Sequence, residues 1–213
     1  MPEPLDHPAI LRVREAAARK GVVLEIHTFD ESTHTAEDAA RTVGADLGQI
    51  VKSLVFVCPT DDGGLEPLLC LVSGPNRVDL ARLAAVLGEQ DIRRATAREA
   101  QELTGFTIGG IPPFGHGRPV RTVMDPALTR YQVVWAAAGT HTAVFPVPPA
   151  TLRVLSNATV APIVEERRAA DLEAEALARA ATEGAATETA ASTATDGATP
   201  AVDDATAATN ARA

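Results

Sequence analysis

The sequence predicts a single α/β domain in which several helices pack against a mixed, mainly antiparallel sheet. Three observations carry that prediction. Two apolar runs, Val51 to Cys58 and Leu65 to Ser73, flank the turn-forming Asp61-Asp62-Gly63-Gly64, the pattern of an antiparallel hairpin. Helix-start signals at Asp6, Thr35, Asp79, Thr96 and Pro148 alternate with β-branched runs along the chain. That alternation lacks the regular strand-helix-strand repetition of a doubly wound parallel fold, so the sheet is expected to be mixed.

Taken in order, Asp6 is the expected N-cap of a first helix with Pro8 in its opening turn, Ile10, Val13 and Ala17 on one face, and Gly21 closing it. Val22 to Phe29 is β-branched and aromatic enough for a strand. Thr35-Ala36-Glu37-Asp38 resembles a capping box that opens a second helix ended by Gly44. The hairpin follows. Asp79 can cap a helix over Leu80 to Leu87, and Thr96-Ala97-Arg98-Glu99 caps another that reaches Leu103. Val120 to Met124, Tyr131 to Ala137 and Thr140 to Phe145 read as strands, and Pro148-Pro149 opens a last short helix through Leu155.

Composition narrows the function classes. A chain of 213 residues, 46% hydrophobic, can bury one real core. Its longest apolar runs, such as Tyr131 to Ala138, fall far short of the roughly 20 residues that cross a bilayer, so no membrane role is expected. Met1-Pro2-Glu3-Pro4-Leu5-Asp6 has neither the basic nor the apolar region of a secretory signal, which points to the cytoplasm. Cys58 and Cys70 sit inside apolar runs with no metal-ligand or disulfide spacing and read as reduced core thiols. Of the net charge of -9, the segment from Glu165 to Ala213 holds a large share, with 10 acidic against 4 basic residues. Residues 167–213 are Ala, Thr and acidic residues without aromatics, a composition that cannot offset the entropy of ordering, so they are expected to be a disordered tail to a domain over 1–166.

Lys52 is the first candidate for chemistry. The chain has 17 arginines and two lysines, Lys20 and Lys52, so an ammonium inside Ile50-Val51-Lys52-Ser53-Leu54-Val55 stands out. Within an apolar run it must be paired, reach water or meet an anionic ligand, and an outward-facing lysine on a wet strand face is the plain alternative. The second candidate is Thr104-Gly105-Phe106-Thr107-Ile108-Gly109-Gly110-Ile111-Pro112-Pro113-Phe114-Gly115, a short loop with four glycines and two of the chain's prolines in series. Its glycines allow close approach of a ligand to the backbone and its prolines stiffen the turn. It follows neither the dinucleotide nor the P-loop pattern, so no nucleotide cofactor is implied.

These residues, in their order and spacing, resemble the YbaK/EbsC-like, prolyl-tRNA-synthetase-associated aminoacyl-tRNA deacylases. The resemblance runs through His27-Thr28-Phe29-Asp30, Gln49-Ile50-Val51-Lys52-Ser53-Leu54, the loop from Thr104 to Gly115, Met124-Asp125 and Ala138-Gly139-Thr140-His141, covering most of 1–164. It implies a six-stranded, partly barrel-like mixed sheet surrounded by helices, with a pocket beside the lysine strand and the glycine-proline loop. It implies hydrolysis of the ester of a mischarged aminoacyl-tRNA, with tRNA(Pro) among the candidates, an aminoacyl-tRNA synthetase as a further partner, and neither cofactor nor metal. Lys52 matches the family's essential lysine, and Gly110, with Gly109, matches the glycines whose backbone shapes the pocket. Pro113, Phe114 and Gly115 match the rest of the loop, Phe29 stands where a tyrosine often lines the pocket, and Gly139, Thr140 and His141 occupy the far wall. The family's cysteinyl-tRNA(Pro) deacylases carry a serine at the Pro112 position and a Ser-Gly-Gly-Lys-like run at Ala138 to His141. Both hydroxyls are absent here, which leaves alanyl, seryl, threonyl and other esters as candidates.

An activated ester needs only a positioned water or the substrate's own 2′-hydroxyl, with donors for the oxyanion, so no side-chain nucleophile is required. Two rivals stand beside the enzyme: a non-catalytic module that binds aminoacyl-tRNA or a synthetase, and an esterase using Cys58 or Cys70. His141 could touch substrate, whereas His7, His27, His34 and His116 are expected to cap, pack or face solvent. Trp135 and Phe145 are expected in the core. Arg77, Arg82, Arg93, Arg94, Arg98, Arg118 and Arg121 could form a phosphate-binding patch or stand as scattered surface charges.

Overall fold

The computed structural model describes residues 4–30 and 35–166. The expected tail over 167–213, and His34, lie outside the described residues. No helix among the described residues is long and apolar enough to cross a membrane.

Helix α1 (Pro8–Ala18) starts one residue later than expected: its cap is His7, whose Nδ1 accepts the Ala9 N–H at 3.2 Å. Pro8 takes the first helical position, where its missing N–H costs nothing, and this makes the residue before it the cap. Ile10, Val13, Ala16 and Ala17 form its buried face. Helix α2 (Ala36–Val43) begins at Thr35, whose hydroxyl accepts the Asp38 N–H at 3.0 Å. Asp79 caps α3 (Leu80–Leu87), and Thr96 with Glu99 forms the capping box of α4 (Ala97–Thr104). Helix α5 (Pro149–Ser156) opens at Pro148.

The strands are β1 (His27–Thr28), β2 (Val51–Pro59), β3 (Leu65–Ser73), β4 (Arg93–Arg94), β5 (Arg121–Met124), β6 (Val134–Ala137), β7 (Ala143–Val147) and β8 (Thr159–Val160). The hairpin forms as expected, antiparallel from Val51 opposite Ser73 to Pro59 opposite Leu65. The single six-stranded barrel-like sheet does not. The described strands make two sheets, one ordered β1-β7-β6 and one ordered β4-β2-β3-β5-β8, with β3-β5 and β5-β8 parallel. Strands β2 and β6 meet only at an isolated bridge between Ile50 and Trp135, so the ring is not closed. Beyond that bridge the two edges part.

Three strand expectations shorten, one where no neighbouring strand runs alongside and two where the chain turns. Of Val22 to Phe29 only the last three reach a distant segment, His27 and Thr28 pairing with β7 and Phe29 donating to the Thr142 carbonyl, and Val23 is 95% exposed. The run from Thr140 pairs only from Ala143, because residues 139 to 142 turn, with Gly139 at φ 104. The run from Tyr131 pairs only from Val134, since Asp125 caps a 3-10 turn over Pro126–Arg130 that ends at Tyr131.

The hairpin is buried on both faces, which explains its unbroken apolar composition. Val51, Val55, Leu69 and Leu71 face a core shared with α1, Phe106, Ile111, Phe114, Met124, Val134 and Phe145. Phe56, Cys58, Leu68, Cys70 and Val72 face a second cluster with Leu83 and Ile163.

Candidate functional site

Where β2 and β6 part, a cleft of about 360 Å³ opens. Ile50 to Val55 form one wall and Trp135 to Ala137 the other; the deep end is apolar, with Val55, Ala100 and Ile111 buried there, and Glu37, Arg94 and Ile108 stand at exposed positions of the rim. Lys52 and Gly109 both line this cleft, so the lysine strand and the start of the glycine-proline loop share a cavity.

Lys52 is half-buried, and its Nζ donates to the Asn76 carbonyl at 2.6 Å. Burial pushes its pKa below the ordinary lysine value; Arg77 and Arg94 push the same way, and Glu37 opposes them. An ammonium so placed gains from an incoming anion or developing oxyanion more than a free surface lysine does. Ser53 adds a second polar group. Its Oγ is buried without a hydrogen-bond partner among the described residues and lies on the cleft wall. Its backbone points the same way. The Val55 carbonyl accepts the Ala95 N–H at 3.0 Å on the side away from β3, and antiparallel alternation puts the N–H and C=O of Ser53 on that same edge. Strand β4 with Ala95 covers this edge from Val55 to Val57, and among the described residues no backbone partner lies beside Ser53 there.

The loop is held from behind. A Cβ on Gly110 would stand 2.7 Å from the Thr140 backbone, and one on Gly139 would stand 2.7 Å from the Ala9 carbonyl oxygen, so both positions exist as close backbone contacts. Gly115 lies against Ala16 and Val13 of α1. Phe114 is buried and meets the Phe145 ring edge-on at 5.8 Å, and Pro113 is buried beside it. The Arg12 guanidinium sits 4.1 Å over the Phe106 ring and donates to the Gly105 carbonyl at 2.7 Å. His116 Nε2 lies 3.0 Å from the Pro112 carbonyl, and burial lowers its pKa to about 4.

Of the residues singled out by sequence, Lys52 and Gly109 line the cleft; Phe29, Gly110, Pro113, Phe114, Gly115, Gly139, Thr140 and His141 are not among its lining residues. Gly110, Phe114, Gly115 and Gly139 pack instead on Thr140, Phe145 and α1. The Phe29 N–H donates to the Thr142 carbonyl at 2.9 Å, and the Thr140 and Thr142 hydroxyls are 3.3 Å apart. Sequence reading missed Ser53, Glu37, Ile108 and Trp135 as cleft residues. Trp135, expected in the core, is half-buried on the cleft wall and meets His27 edge-on at 5.4 Å. Phe145 is fully buried, as expected. Ser53 carried a readable signal, a hydroxyl next to the lysine in an otherwise apolar run.

Neither thiol lines the cleft. Burial raises the Cys58 pKa, reinforced by Glu89 and Glu66, and pushes Cys70 up to about 12, so both stay protonated. Cys58, Glu66 and Glu89 come within 4.8 Å of one another, but Arg121 spans them, donating to Glu66 at 2.8 Å and Glu89 at 2.7 Å. Three more of the candidate patch arginines are also tied to carboxylates: Arg82 to Glu166, Arg93 to Glu99 and Arg98 to Glu102.

The family described as the aminoacyl-tRNA editing domain matches residues 30–155 of this chain. Among curated relatives, the uncharacterized protein YwhH of Bacillus subtilis (strain 168) is 30% identical over 136 residues, covering 64% of this chain and 83% of the relative. The multifunctional Ser/Thr-tRNA deacylase ProXp-y of Escherichia coli (strain K12) is 32% identical over 99 residues, 46% of this chain and 58% of the relative. The crystal structure of a candidate trans-editing enzyme for prolyl tRNA synthetase is 43% identical, covers 75% of this chain and 99% of that one, and superposes with a TM-score of 0.68. With the family match spanning most of the described residues, from just after β1 to the last turn of α5, this chain belongs to the aminoacyl-tRNA editing domain family.

Proposed function

We propose that this protein is a trans-editing hydrolase that cleaves the ester of a mischarged aminoacyl-tRNA in the cleft between β2 and β6. The observation that carries the reading is the convergence of Lys52 and Gly109 on one cavity within a chain of this family. The Lys52 ammonium takes the anionic side of the terminal nucleotide or the oxyanion that forms on the ester carbonyl. The backbone of Gly109 and Gly110 fixes the approach of the ester, and Trp135 and Ile108 offer apolar faces to the ribose and base. In the reaction a water, oriented by the cleft or by the substrate's 2′-hydroxyl, adds to the acyl carbon. The bond to the ribose oxygen breaks, and that oxygen takes the proton.

The acyl group enters the alanine- and valine-lined deep end, with the Ser53 hydroxyl on the same wall, which favours small acyl groups. Arg94 at the rim and Arg77 near Lys52 are placed to meet phosphates of the acceptor end, which makes aminoacyl-tRNA the natural partner.

Hydrolysis of a panel of mischarged tRNAs tests the reading. The parent protein should release at least one amino acid, and Lys52→Ala should lower kcat/KM by roughly a hundredfold or more while the circular dichroism spectrum is unchanged. Turnover undiminished in the variant would remove Lys52 from the reaction.

A further inference from the structure

Asp125 is a carboxylate with 1% exposure, and no cation pairs with it among the described residues. A buried charge of this kind is costly unless its oxygens are well occupied. They are, and the two oxygens divide the task. Oδ1 accepts the Ala127 N–H at 2.9 Å and caps the 3-10 turn after β5. Oδ2 reaches the other way, to the turn that follows β3: it accepts the Asn76 Nδ2 at 2.6 Å and the Ser73 N–H at 3.5 Å. That turn is closed by Asn76 N–H donating to the Ser73 carbonyl at 2.9 Å, and Ser73 Oγ anchors it to the Gly48 carbonyl at 2.7 Å. Asn76 is itself 6% exposed. What the clamped turn delivers is the Asn76 carbonyl, aimed at Lys52 Nζ from 2.6 Å.

We infer that Asp125 is a positioning residue for Lys52, acting through Asn76. The inference rests on the role proposed above for Lys52. A cap alone needs only Oδ1; the second oxygen is spent on the two ends of the turn that places the acceptor for the cleft's ammonium. Asp125 itself is not among the residues that line the cleft.

The test uses Asp125→Asn and the exchange Asn76→Asp with Asp125→Asn. The single variant keeps an acceptor for Ala127 but sets an amide NH2 against the Ser73 N–H and against the Asn76 amide, which can meet it only by turning over to offer the Oδ1 that has no partner among the described residues. The exchange restores the hydrogen bond with its direction reversed. Because Lys20 and Lys52 are the only lysines, protein labelled with 15N-lysine gives two side-chain ammonium signals, and Lys20→Arg assigns them. Glu37, Arg77 and Arg94, the charged groups that act on Lys52, stay in place throughout. In Asp125→Asn, kcat on a mischarged tRNA should fall by roughly tenfold to a hundredfold, the loss of one charge-assisted hydrogen bond's worth of placement. KM should move by less than about threefold. The Lys52 titration midpoint should drop, because the charged form loses its acceptor, and the exchange should recover most of both.

A folded Asp125→Asn protein with parental kcat overturns the inference. So does a fall in kcat with an unmoved Lys52 titration, which would make Asp125 merely structural. If the single variant does not fold, Asn76→Ala, which leaves Asp125 its bonds to Ala127 and Ser73, is read by the same two outcomes. Failure of the Lys52 role itself shows separately, as activity retained in Lys52→Ala.

Discussion

Lys52 and Ser53 are neighbours in the chain, and a strand sends neighbouring side chains to opposite faces. Lys52 runs toward Asn76, while Ser53 lies in the row of Val51 and Val55; both reach the cleft because its wall is the strand's edge. Their substitution should part stability from activity. Ser53→Ala removes a buried hydroxyl without a partner among the described residues, so its melting temperature should hold or rise, while kcat/KM falls by about tenfold for the preferred ester. A lower melting temperature with full activity would show that the hydroxyl serves the fold. His116 makes a pH prediction. Its pKa is lowered from 6.5 to about 4, so between those values the unfolded chain binds more protons and stability falls as the pH falls. The contribution is complete above about pH 6.5 and lost through pH 4. His116→Gln should therefore flatten the dependence of melting temperature on pH in that window by up to one proton. The lysine was legible in the sequence because an ammonium is conspicuous among valines and leucines. Asp125 was legible only as part of a motif, since its role depends on a turn 49 residues away.

Among the elements, what local chemistry decides was readable and what pairing decides was not. The caps at Thr35, Asp79 and Thr96 and the hairpin around Asp61 to Gly64 depend on residues a few positions apart. The strand ends at Val22, Tyr131 and Thr140 depend on which distant backbone lies alongside, and none among the described residues pairs there. The glycine-proline loop was legible as rigid, but not as a two-sided object. Gly109 faces the cleft, whereas Pro113, Phe114 and Gly115 are packing residues that tie it to α1 and β7. Gly110→Ala tests that division: its Cβ would meet the Thr140 backbone, which cannot yield as a flexible side chain would. Stability should fall by about 1 to 3 kcal/mol in urea titration, with activity reduced as Gly109 shifts.

For the whole molecule, the composition is acidic and the partner proposed is an anion, so binding must come from local geometry. Of seven arginines considered as a patch, Arg82, Arg93, Arg98 and Arg121 are neutralised by carboxylates. That leaves Arg77, Arg94 and Arg118, together with Lys52, to meet phosphate. Affinity for tRNA should fall with salt at a slope near −2 to −3 on logarithmic axes, as expected for about four contacts to a single-stranded end. A slope near zero would remove the nucleic acid as partner. The family resemblance implied one sheet curling into a barrel; two sheets touching at one bridge make a gap instead, and the gap is where the candidate site lies. The bare stretch of β2 beyond that bridge has a further consequence. An unsatisfied strand margin is ordinarily a template on which another molecule's backbone nucleates fibrils. Here it opens into a cleft that Trp135 and Ile108 also line, so a foreign β-strand would have to fit between those side chains before it could register. Concentrated protein should stay free of thioflavin-positive polymer.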